Sequence, residues 1–288
     1  MKACVATALV VATCAVAPGS RTLMAQANHP AMLTNTIGME FVRIAPGSML
    51  VGRFQPACPR ADAASAHPRW APADFARCEQ MAKRDAAPGF TVTILRPYYI
   101  GKFEVTQGEW TRVMGTNPSV FQGAKLHDDA DRHPVDNVTW ADAQAFVRTL
   151  NTLDVSARYR LPTEFEWEYA ARAGNTGEPS WDDIRASAWE QDVDLGTTHP
   201  VGLKKPNAWE LYDMLGNVWE WVNDVYNEKL FADSLRPRTG PSLRAGRQTH
   251  VLKGGSFVSD VKNATWSTHA GGPGSGFDVG FRIVRDIP

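Results

Sequence analysis

In the stretch Leu211-Tyr212-Asp213-Met214-Leu215-Gly216-Asn217-Val218-Trp219-Glu220-Trp221, two hard oxygen donors, Asp213 and Glu220, stand seven positions apart. A turn at Leu215-Gly216-Asn217 would bring backbone carbonyls between them. That pattern suits a calcium cage, which gathers about six to eight oxygens in a flexible geometry. The bland alternative is that both carboxylates bond nearby backbone amides or an arginine and hold no metal.

Upstream, Thr163 followed by Glu166 is a capping box, and Trp167, Tyr169, Ala170 and Ala171 continue a helix for which Gly174 supplies a left-handed cap. Thr139 opens a second helix with an apolar stripe at Ala143, Phe146, Val147 and Leu150. Thr106 starts a short third helix that runs to Met114 and stops at Gly115. Gly38 to Gly52, with Pro46-Gly47 at its centre, predicts a strand, a tight turn and a returning strand, and Tyr98 to Val105 predicts another strand. Hydrophobic residues make up 43% of the chain and charged residues 21%, which excludes a disordered or collagen-like protein. Thirty Lys and Arg balance 31 Asp and Glu, so nothing in the charge favours nucleic acid or an anionic membrane as partner. Ten Trp, 23 Gly and 19 Pro argue against a helical bundle.

Several longer motifs stand in a telling order. They are Gly38-Met39-Glu40-Phe41-Val42, Glu104-Val105-Thr106, His133-Pro134-Val135, Arg160-Leu161-Pro162-Thr163-Glu164-Phe165-Glu166-Trp167-Glu168, the stretch Leu211 to Trp221, Lys253-Gly254-Gly255-Ser256-Phe257 and Gly280-Phe281-Arg282. From about Ile37 to Val284 the chain resembles the formylglycine-generating enzyme family, also called sulfatase-modifying factors. The resemblance implies one α+β domain over residues 28–288, related to C-type lectin folds and rich in irregular backbone. It also implies a structural calcium ion held by the side chains of Asp213 and Glu220 and the carbonyls of Gly216 and Val218, although relatives often carry Asn at the position of Asp213. A second family calcium site has no convincing match in Ala186 to His199.

The family's reaction converts a substrate cysteine to formylglycine with O₂ and a copper ion on two cysteines after the Gly-Gly-Ser motif. In this chain the segment Phe257 to His269 contains no cysteine, and Ser259 and Ala264 stand near the expected thiol positions. Soft thiolates select Cu(I), and neither replacement can act as one. The resemblance places the segment from Ser256 to Phe277 along a peptide-binding groove, where Asn263, Trp266 and His269 are the candidate ligand contacts. His127, Asp128, Asp129, Asp131 and His133 form a second patch that could take a transition metal or be a solvated acidic loop.

The N-terminus reads as an export signal. Lys2, an apolar run from Ala3 to Ala17 and Ala25-Gln26-Ala27 predict a signal peptide over residues 1–27, too short to span a bilayer, with Cys14 a weaker candidate for lipid attachment. The mature chain would keep two cysteines, Cys58 and Cys78, for which a disulfide in the periplasm or outside the cell is the default expectation. The leading functional expectation is an exported binding or accessory protein of the bacterial envelope, with a peptide, protein or peptide-like small molecule in its cleft. The alternatives are an oxidoreductase acting on a peptide-like substrate in natural-product or siderophore maturation, and formylglycine generation on a sulfatase cysteine.

Overall fold

The computed structural model describes residues 31–51, 71–85, 89–177, 179–190, 196–227, 249–259, 263–272 and 274–288. The expected signal peptide, Cys58 and the side chain of Cys78 lie outside the described residues.

Three sheets, five α-helices and two single-turn 3-10 helices make up the described chain. Strands β1 (Met32–Thr34), β2 (Glu40–Ile44), β5 (Tyr98–Gly101), β6 (Tyr159–Arg160) and β11 (Val284–Asp286) form an antiparallel sheet in the order β1-β2-β5-β11-β6. Strands β7 (Trp219–Val225), β8 (His250–Lys253), β9 (Ala270–Gly272) and β10 (Val279–Gly280) form a second sheet in the order β10-β7-β8-β9, parallel only between β10 and β7. Strands β3 (Gly47–Val51) and β4 (Phe90–Ile94) pair by themselves.

The expected hairpin across Pro46-Gly47 does not form. Both of its strands exist, yet β2 pairs with β1 and β5 while β3 pairs with β4. The Pro46-Gly47 step moves the chain from one sheet to another. Gly47 lies where Tyr169 leaves no room for a Cβ, so the strand is drawn onto that ring.

Helices α2 (Gln107–Met114), α3 (Trp140–Leu153) and α4 (Glu164–Arg172) begin at Thr106, Thr139 and Thr163, each in a complete capping box. Gly115 ends α2 at φ 75° as expected. The left-handed cap of α4 falls on Ala173 at φ 46°, with Gly174 next at φ 87°. Helices α1 (Pro72–Asp85) and α5 (Trp181–Ser187) complete the set.

Two cores form. One surrounds Trp167 with Val42, Ile100, Ala170, Met214 and Val222. The other surrounds Phe146, which stacks on Trp110 at 5.5 Å and meets Phe281 edge-on at 5.4 Å. The stretch from Leu211 to Trp221 runs between them, because Met214 and Leu215 join the first and Trp221 the second.

Candidate functional site

The loop preceding β7 owes its shape to three residues in left-handed backbone, Asp213, Gly216 and Asn217, at φ 53°, 76° and 58°. A Cβ on Gly216 would collide with the Trp189 carbonyl, so only glycine fits there. Asn217 then clamps the loop. Its Nδ2 donates to Glu104 Oε2 (2.7 Å) and to the His199 carbonyl (3.2 Å), while its Oδ1 accepts from the His199 N–H (3.0 Å). The Val218 N–H donates to Glu104 Oε1 at 3.1 Å.

Glu220 is buried against Arg282. Arg282 Nε and Nη2 donate to Oε2 and Oε1 (2.7 and 2.6 Å), and Trp167 Nε1 donates to Oε2 (2.7 Å). The remaining Arg282 donors reach the carbonyls of Gly101, Tyr212 and Asp213. Asp213 accepts from the Gly202 N–H through Oδ2 (2.8 Å), but its buried Oδ1 has no hydrogen-bond partner.

Glu104, Asp213 and Glu220 are therefore three buried carboxylates within electrostatic reach of Arg282, of which Glu220 alone pairs with it directly. Burial pushes Asp213 up to about 6, with Glu220 adding to the rise and the Gly202 amide and Arg282 opposing it. Burial also raises Glu104 well above the carboxylate range, reinforced by Asp213 and Glu220.

Excess buried charge of this kind needs protons or a cation. Asp213 Oδ1 is the one oxygen of the three carboxylates without a partner. Glu220 gives both oxygens to Arg282 and one to Trp167 as well, and Asp213 Oδ2 takes the Gly202 amide, which are the contacts expected of the metal-free alternative.

A second buried ionic array runs along α4. Lys253 Nζ donates to Glu168 Oε2 (3.1 Å) and stands 3.8 Å from Glu164 Oε1, over the ring of Trp167. Arg172 donates to Glu168 Oε1 through Nε (3.0 Å) and Nη2 (2.7 Å). His269 closes the array, with Nδ1 at 2.6 Å from Glu164 Oε1 and Nε2 at 3.0 Å from the Asn227 carbonyl.

Ser259 and Ala264, near the expected thiol positions, differ from each other. Ser259 Oγ lies 3.1 Å from Ser256 Oγ and accepts from the Ser256 N–H (2.9 Å), and Ser256 Oγ donates to Asp278 (2.8 Å). Ala264 is sealed in the core around Trp167.

The three candidate groove residues do not share one wall. Trp266 is 8% exposed, packs in the same core and borders a cavity of about 500 Å³. Neither Asn263 nor His269 lines that cavity. His269 is held by Glu164 and Asn227 and stacks on Tyr226 at 4.8 Å, whereas the Asn263 carbonyl accepts from Thr268 Oγ1 at 3.0 Å.

In the His127–His133 patch, the His133 ring lies between Asp128 (2.7 Å) and Thr198 (2.9 Å), and Asp129 caps a short turn by accepting from the Asp131 N–H. Among the described residues no group of three or more His, Cys, Asp or Glu side chains is arranged to hold a metal ion. Sequence reasoning missed Glu104, Glu164, Glu168, Lys253 and Arg282 as ionic partners. Their signal was a charge set among glycines, aromatics and aliphatics inside the quoted motifs.

Residues 28–287 match the model of the sulfatase-modifying factor enzyme 1-like domain. The chain is 30% identical over 246 residues to the chaperone protein LppX of Paenibacillus barcinonensis, covering 66% of this chain and 81% of that protein. It is 34% identical over 203 residues to the formylglycine-generating enzyme of Streptomyces coelicolor, covering 62% of this chain and 60% of the enzyme. Among solved structures, Treponema denticola variable protein 1 superposes with a TM-score of 0.66 at 25% identity, covering 90% of this chain and all of that one. The chain belongs to the sulfatase-modifying factor family.

Proposed function

We propose that this member of the sulfatase-modifying factor family is an exported accessory protein of the bacterial envelope, one that binds a peptide, protein or peptide-like molecule and does not make formylglycine by the copper route. The observation that carries the reading is the pair Ser259 and Ala264. Ser259 is a neutral, hard hydroxyl tied to Ser256, and Ala264 has no donor and no exposure. Cu(I) is selected by soft thiolates, so these two residues do not fit it. The name of LppX, a chaperone, supports an accessory role. Export is supported by Lys2, the apolar run after it and Ala25-Gln26-Ala27.

The cation expected near Asp213 is calcium, held by Asp213 and Glu220 with the carbonyls of Gly216 and Val218. Bound there it would supply positive charge to a wall of the fold.

The test is an anaerobic Cu(I) titration followed by aerobic incubation with a peptide carrying Cys-x-Pro-x-Arg. The expected result is no tight copper binding and an intact peptide thiol. Stoichiometric copper with loss of that thiol would restore the family's enzymatic reaction and end the accessory reading.

A further inference from the structure

We propose that the cavity between α4, α5 and the segment 205–215 is a binding site for a small zwitterion with an apolar side chain, a free apolar α-amino acid or a dipeptide. The proposal rests on the accessory reading, in which a ligand is held rather than oxidised, and it locates the ligand away from the Ser256–Ser259 pair.

At about 500 Å³ the cavity has the size of a small-molecule pocket and is far too large for a packing void. Its floor is buried and apolar, formed by Ala171, Leu211, Met214, Leu215 and the indole of Trp266. Arg172 stands 6.0 Å from the centroid of that indole, which helps fix the ring.

The walls are preformed. Asn207 ties its loop to α4, donating to the carbonyls of Ala170 and Ala171 (2.9 and 3.1 Å) and accepting from the N–H groups of Trp209 and Leu211 (2.9 and 3.1 Å). The Lys205 N–H donates to the Ala186 carbonyl at 3.1 Å and ties the same loop to α5. A ligand entering this cavity orders little that is not already ordered.

The rim gives the ligand its chemistry. Lys205 and Asp183 both border the cavity and are both exposed, so its rim carries one exposed charge of each sign, while the third ionisable side chain of the lining, Asp213, is buried. The Asp183 carboxylate is positioned by Ser180, whose Oγ donates to Oδ2 at 2.6 Å. A carboxylate matched to Lys205 and an ammonium matched to Asp183 belong together on a zwitterion, whereas an ion of either single sign would meet repulsion from one of the two. An aliphatic or aromatic side chain then fills the floor over Trp266.

Asp213 also borders the cavity, so the test is run on the full chain in saturating calcium. Isothermal titration calorimetry is performed with L-phenylalanine and phenylalanyl-glycine, and with their N-acetylated and C-amidated forms. The expected result is saturable binding of at least one zwitterion, weakened about tenfold or more when either end is blocked, the scale of one charge-assisted contact. Lys205→Glu, an exposed position, should weaken binding about tenfold with an unchanged melting temperature. Trp266→Ala should weaken it as well, and the Lys205 variant keeps the test decisive if the Trp266 variant does not fold. No saturable heat with either zwitterion, equal affinity for blocked and free forms, or undiminished binding by Lys205→Glu would each overturn the proposal. The copper titration is unaffected by any of these outcomes, so the two readings fail separately.

Discussion

Along α4, Glu164 and Glu168 face Lys253 and Arg172, two acids against two bases, and His269 takes the end of the row. Around Arg282 only Glu220 pairs directly with the guanidinium, Glu104 and Asp213 feel its charge without touching it, and one oxygen of Asp213 finds no donor. Both arrays are buried, yet only in the first does each carboxylate stand directly against a base, whereas around Arg282 only Glu220 does. A balanced array can serve as pure scaffold, with each ion desolvated against a partner of opposite sign. An unbalanced one depends on something the chain does not supply, whether proton or cation.

The largest effect should come from Arg282→Met, which removes the ion-pair partner of Glu220 and a positive charge that also favours the ionised forms of Glu104 and Asp213. We expect a loss of more than about 4 kcal/mol or no folded protein at all, against about 3 kcal/mol for Lys253→Met, which leaves Arg172 on Glu168. Urea unfolding of the two variants checks the order, and equal costs would break the contrast between the arrays.

Next is the response to calcium. At about a hundred times its Kd, calcium should raise the melting temperature of the wild type by roughly 5–10 °C, an effect that Asp213→Ala removes. Lys253→Met, if folded, should keep the full shift, since its array has no deficit to fill. A calorimetric scan with and without EDTA reads both.

A smaller effect concerns Asp136, a buried carboxylate held by the N–H groups of Val120 and Phe121 rather than by an ion pair. Burial pushes it up to about 6, with those two N–H bonds opposing the rise. Its contribution to stability is therefore complete at a pH below the unfolded value of about 4 and is lost as pH rises through about 6. The stability gap between wild type and Asp136→Asn should narrow between about pH 4 and pH 7, and a gap that widens would contradict the assignment. Smallest of all, Thr139→Ala should cost about 1 kcal/mol through the cap of α3, far from both arrays, as measured by chemical denaturation.

What can be read from the sequence divides along the same line. Thr106, Thr139 and Thr163 announce their helices because a capping box closes within one turn, where sequence distance and spatial distance coincide. The hairpin suggested by Pro46-Gly47 fails because strand partners are selected by buried faces elsewhere, in this fold on β1, β5 and β4. Asp213 and Glu220 stand out as carboxylates in an ordered motif. That Glu220 meets Arg282, 62 positions away, and that Asn217 clamps Glu104, 113 positions away, is not visible in it.

The sequence by itself determined the family, the starts of α2, α3 and α4, the absence of cysteine from Phe257 to His269 and the presence of charges inside otherwise apolar motifs. All of these are properties of residue identity and local spacing. Only the tertiary structure decided which charges close on each other, that Trp266 lines a cavity while His269 is spent on Glu164, and that one oxygen of Asp213 remains unclaimed. The physical reason is that electrostatic partnership and cavity shape depend on distances set by packing the two cores together, and no single segment of the chain carries them.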